Sequence, residues 1–244
     1  MDEAFELDSY LPLSFTRPNE QEYVTFLWEA FETNYTHGKY QFAFLAYHML
    51  TMSFVYFNLW QIKKTEPQNF EMSLIGFGKD VEQALIVATS PFVFSMVKER
   101  TVLRILKLIE CDNGKIGTYA KLVDERNESA HSNGNIFFST QAALDTKITE
   151  ILRVVAEIQT HSKPVIERCY REFLLRSHDH EDREYPDPDD QIREVLIHEN
   201  YMSRMDIKIC LALDLSNLRE CGDYAQIEKL HNCLQAAYGF ATAP

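Results

Sequence analysis

Apolar residues recur along this chain at helical spacing, and nearly every stretch long enough to classify follows that period. Tyr23, Phe26, Leu27, Ala30, Phe31 and Asn34 trace one stripe, preceded by Asn19 and Glu22 three residues apart, an N-cap signature, and closed by His37-Gly38. Residues 1–18 carry Pro12 and Pro18 without a period and are predicted to be an extended arm. From Tyr40 to Ile62 run 23 uncharged residues between Lys39 and Lys63-Lys64, long enough to cross a bilayer. Gln41, His48, Thr51, Ser53, Asn58 and Gln61 are spread along that run, and such side chains are costly in hydrocarbon. The expectation is a central helix buried on nearly every side, with His48 a hydrogen-bonded core residue, and no membrane partner.

Further along, Asp80 to Ala88 is predicted to be a short helix, and a longer one starts at Pro91 and runs to about Glu110. On the longer one Lys98, Arg100, Arg104 and Lys107 are interleaved with apolar positions, a solvated face in the plain reading. Cys111-Asp112-Asn113-Gly114 is a turn, and Ile116, Tyr119, Ala120 and Val123 then mark a helix whose exit is assigned to Gly134. Thr140 is expected to cap a long amphipathic helix through Leu144, Ile148, Ile151, Leu152, Val155 and Ile158, kinked or restarted at Pro164 and ending near Arg176. Beyond it lies SHDHEDREYPDPDD, with seven acids, one Arg and two prolines. Residues 207–215 alternate as a strand would, but no partner strand is in sight, so helix is expected there too.

These elements make an all-α chain: an arm over residues 1–18, an up-and-down helical bundle over 19–177, an acidic linker over 178–190 and a small helical appendage over 191–244. Five scattered cysteines, Cys111, Cys169, Cys210, Cys221 and Cys233, lack a paired spacing and suit the reduced thiols of a cytoplasmic protein. The acidic MDEAFELD start does not resemble a secretory signal. Net charge of −13 argues against broad nucleic-acid binding. The stretch from Pro91 to Arg176 differs: it holds 13 Lys and Arg against 11 Asp and Glu, a local +2.

The candidate chemistry lies in that basic stretch, in KLVDERNESAHSNGN from Lys121 to Asn135. Arg126 and His131 bracket four residues. Imidazole exchanges protons near neutral pH, and guanidinium grips phosphate oxygens with a fixed fork of donors. Together they suit cleavage of RNA by its own 2′-hydroxyl, with His131 moving protons and Arg126 holding the developing charge, a scheme that needs neither metal nor cofactor. On one straight helix the two side chains sit about 140° apart. Convergence therefore requires the helix to end between them or a second copy of the chain to complete the site. The bare spacing is weak evidence, because Arg193 and His198 repeat it inside an aliphatic segment beside the acidic run.

Set in an all-helical chain and followed by Ser-Asn-Gly, RNESAH resembles the motif of the HEPN superfamily, Arg, four to six residues, then His. That resemblance spans residues 19–177 and implies a dimeric, metal-independent ribonuclease of a defence or toxin system, with Arg126, Asn127 and His131 as its catalytic positions. Lys121, Arg100 and Arg104 are the candidate cations for binding RNA. An antitoxin or defence-system subunit is the implied protein partner. Some relatives carry an AMPylated Tyr two residues after the His, where this chain has Asn133. The alternative is a non-catalytic helical adaptor that binds a partner protein.

Overall fold

The computed structural model describes residues 1–131, 134–220 and 223–239, and all regular elements among them are helical, apart from a lone bridge between Pro12 and Ser203. The α-helices are α1 (Pro18–Thr36), α2 (Tyr40–Thr65), α3 (Pro67–Ser73), α4 (Lys79–Ile86), α5 (Glu99–Ile105), α6 (Asn113–Ala130), α7 (Gln141–Ser177), α8 (Pro188–Gln191), α9 (Arg204–Leu211) and α10 (Tyr224–Tyr238).

The axis of the molecule is α2, whose apolar residues surround it on all sides, so it is stable only when other elements cover every face. It is the one described helix long and apolar enough to cross a membrane, and 83% of that window is buried inside the fold. The polar side chains singled out in the sequence find partners: Thr51 Oγ1 donates to the Tyr47 carbonyl, Asn58 Nδ2 to the Phe54 carbonyl, and His48 and Gln61 bond side chains of other helices, while the buried Trp60 indole N–H has none among the described residues. The short His37-Gly38-Lys39 turn folds α1 back along α2, with Gly38 at φ +69°.

Several expectations shift. Residues 2–10 are not extended but form a 3₁₀ helix (Asp2–Tyr10), because Ala4, Leu7 and Leu11 give it an apolar edge to bury. Pro18, not Asn19, opens α1, where its missing N–H costs nothing. The buried face of α1 is Glu20, Val24, Leu27, Phe31 and Tyr35, which leaves Tyr23 and Phe26 exposed. The expected helix from Pro91 to Glu110 is three pieces, a 3₁₀ turn (Pro91–Met96), α5 and a second 3₁₀ turn (Leu106–Ile109). Pro164 neither ends nor restarts the long helix: the 37 residues of α7 run through it without a break, capped by Thr140 as expected.

Packing also crosses the acidic linker. Up to Val165, α7 lines the main core, and from Ile166 it lines a second core with Leu196, Ile207, Ile227 and Leu230. The appendage is thus built on the last turns of the bundle's own helix. Tyr201 reaches back into the main core, stacked on Phe57 at 5.3 Å with its backbone at φ +51°. Beside it the buried Asp206 accepts hydrogen bonds from Gln61 Nε2 at 3.0 Å, Gln159 Nε2 at 2.6 Å and its own cap Ser203 N–H at 2.8 Å.

Candidate active site

Asp112 caps the start of α6 by accepting the Lys115 N–H at 2.9 Å, and the helix stops at Ala130. His131 still donates its N–H to the Asn127 carbonyl at 3.2 Å, but its ψ of 146° is extended. The exit therefore falls at His131 rather than at Gly134, which takes φ +80° in the turn beyond. Arg126 is helical and His131 is not, so the 140° separation of a continuous helix no longer applies. His131 is exposed, and its side chain has no partner among the described residues.

Arg126 points the other way, into the fold. Its Nη2 meets Glu99 Oε1 at 2.5 Å, and Glu99 Oε2 lies 3.0 Å from Nε2 of His48. His48 is buried at the centre of α2, and Glu99 occupies the first turn of α5. Burial by itself pushes the Glu99 carboxyl up, but the hydrogen bonds and charges of His48 and Arg126 outweigh it and hold the group below its ordinary 4.5. Glu99 is thus an anion near neutral pH that fixes the guanidinium from one side. The guanidinium side chain keeps 29% exposure and has no second partner among the described residues, which leaves donors of its fork for a ligand.

These two side chains open onto a cavity of about 800 Å³ between α1, α2 and the 3₁₀ turn after Ser90, lined by Tyr23, Met49, Tyr56, Phe92 and Lys98 among others. At its far wall Glu20 is buried, accepting from Ser90 Oγ at 2.5 Å and from the Tyr201 hydroxyl at 2.7 Å. Burial, and then the Glu99 carboxylate, push the Tyr56 phenol up, so it stays a neutral donor.

The other sequence candidates divide. Asn127 adjoins Arg126 and is half-buried, its carbonyl holding the His131 N–H. Lys121 is exposed on α6. Arg100 is paired with Asp124 of α6, and Arg104 lines a different cavity with Ser73, Phe77 and Thr101, so neither lines the cavity at Arg126. Asn133 and Cys221 lie outside the described residues. No hydrogen bond or ion pair joins Arg126 to His131 among the described residues. Glu99 and Gln41, the latter bonded to the backbone on both sides of His131, were missed, because neither stands near the motif in sequence. Compared with known proteins, the chain matches no family model, no curated protein and no solved structure.

Proposed function

We propose that this chain is an endoribonuclease of the HEPN type, acting in the cytoplasm as a dimer. The observation that carries the reading is the end of α6 between its two candidate residues: Arg126 remains on the helix at an open cavity, while His131 has left it with its imidazole exposed. In the proposed reaction the RNA 2′-oxygen forms a bond to phosphorus and the bond to the 5′-oxygen breaks. One imidazole takes the 2′-hydroxyl proton, and a protonated imidazole supplies a proton to the leaving oxygen. The products are a 2′,3′-cyclic phosphate and a 5′-hydroxyl. Arg126, steadied by Glu99, donates to the phosphoryl oxygens as charge builds there. A second chain supplies the other His131, since each chain has one at this motif.

The test is incubation of the purified chain with single-stranded RNA, reading the ends produced. Wild type is expected to leave cyclic phosphates, and His131→Ala is expected to stop cleavage. Products unchanged by that substitution end the proposal.

A second reading, a helical adaptor that binds a protein partner, is favoured by three observations. Arg126 already has an acidic mate, and the chain as a whole is strongly acidic, whereas Phe26 and Phe42 on α1 and α2 and Ile136 beside the motif stand exposed. A stable folded chain that never cleaves RNA, while His131→Ala abolishes a stoichiometric complex, would favour that alternative.

A further inference from the structure

We infer that Gln41 is a positioning residue that sets where the His131 imidazole sits; its catalytic meaning rests on the ribonuclease reading above. Gln41 lies in the first turn of α2, far from the motif in sequence. Its Nε2 donates to the Ser129 carbonyl at 2.8 Å, and its Oε1 accepts the Phe137 N–H at 2.9 Å. Ser129 precedes His131 by two residues and Phe137 follows it by six, so one carboxamide bridges both sides of the segment that carries the imidazole.

The chemistry requires a carboxamide. The Ser129 carbonyl is among the last four of α6, which have no partner within the helix, and the Phe137 N–H lies outside any helix. Only Asn and Gln offer both an N–H donor and a carbonyl acceptor on one short planar group, and Gln has the longer reach. A second tie supports the first: the buried Phe138 ring packs on Phe44, one turn further along α2, at 4.4 Å between centroids. With no side-chain partner among the described residues, His131 takes its place from its backbone, and that backbone is held to the core helix through Gln41.

The experiment uses full-length Gln41→Glu and Gln41→Ala. The Glu variant keeps the shape and the acceptor but loses the donor to Ser129, so it separates bridging from folding. Three quantities are read in each: exchange of the Phe137 amide by NMR, the His131 imidazole resonances, and kcat and KM on RNA. Gln41→Ala is expected to speed Phe137 exchange about tenfold, to shift the His131 resonances and to lower kcat about tenfold to a hundredfold with KM within about twofold. Gln41→Glu is expected to lower kcat by a similar factor at an unchanged melting temperature. His131 resonances that stay at wild-type positions in both variants overturn the proposal, as does a kcat that holds while Phe137 exchange rises. If wild type cleaves no RNA, the ribonuclease reading fails alone, and the His131 resonances still decide whether Gln41 positions that ring.

Discussion

Arg126 and His131 have the same spacing as Arg193 and His198, yet the fold treats the two pairs differently. Arg193 and His198 both belong to a single π-helical stretch (Ile192–His198), where i→i+5 bonding puts residues five apart about one turn from each other. The surroundings of that pair oppose any phosphate. The Arg193 guanidinium meets Asp190 at 2.7 Å and Glu194 at 2.8 Å, and the bond to Glu194 leads a shift that makes it still harder to deprotonate. His198 is tied to Ser14 Oγ at 3.3 Å, and Leu196 and Ile197 between the pair are buried in cores. Arg126 has one carboxylate rather than two, keeps part of its fork open on a cavity, and is followed by a helix end that exposes its His. Spacing alone does not make a site; what each residue already holds, and where the helix stops, separate the two.

The sharpest way to break that contrast is to truncate each residue of the two pairs in turn. His131→Ala and Arg126→Ala are each expected to lower RNA cleavage by about a hundredfold or more, the usual scale for losing a proton-transfer group or a transition-state donor. In the same assay Arg193→Ala and His198→Ala are expected to stay within about twofold of wild type. Equal losses at both pairs would erase the distinction.

Next in size is the contribution of Glu99. Removing it in Glu99→Ala leaves His48 and Arg126 without their shared acceptor, a loss of about 1–3 kcal/mol for charged hydrogen bonds that are partly screened, measured by urea denaturation at neutral pH. A stability equal to wild type would show that the cluster holds nothing. Because the folded carboxyl lies below its ordinary 4.5, the unfolded chain binds the proton more readily. The stabilisation from Glu99 is therefore fully present above about pH 4.5 and is lost as pH falls through the lower folded value. Melting temperatures of wild type and Glu99→Gln are expected to differ at neutral pH and to approach each other in acid; a gap that widens in acid contradicts the assigned sign.

The smallest effect is expected of Arg104→Ala, whose guanidinium faces a separate cavity: cleavage should change by less than about twofold, and a larger loss would extend the RNA path across α5.

Periodicity alone determined much of this protein. The all-α class, the buried central helix from Tyr40 and the cap at Thr140 follow from local pattern, because apolar spacing and capping chemistry act over a few residues, whereas Arg204–Leu211 is helical against the strand-like alternation of its apolar residues. Arg126 and His131 stood out from Arg193 and His198 only through the small and polar residues between them and the resemblance of RNESAH to a known motif. Only tertiary structure decided what those residues touch. The pairing of Arg126 with Glu99 and His48, the bridge from Gln41 across His131, the loss of Arg100 to Asp124 and the return of Tyr201 into the main core all join positions far apart in sequence. The end of α6 at Ala130 carries contacts of the same kind, Gln41 of α2 bonding the backbone on both sides of the exit. Hydrogen bonds and ion pairs act over about 3 Å in space with no regard for sequence separation, so they carry no period that a linear reading can detect.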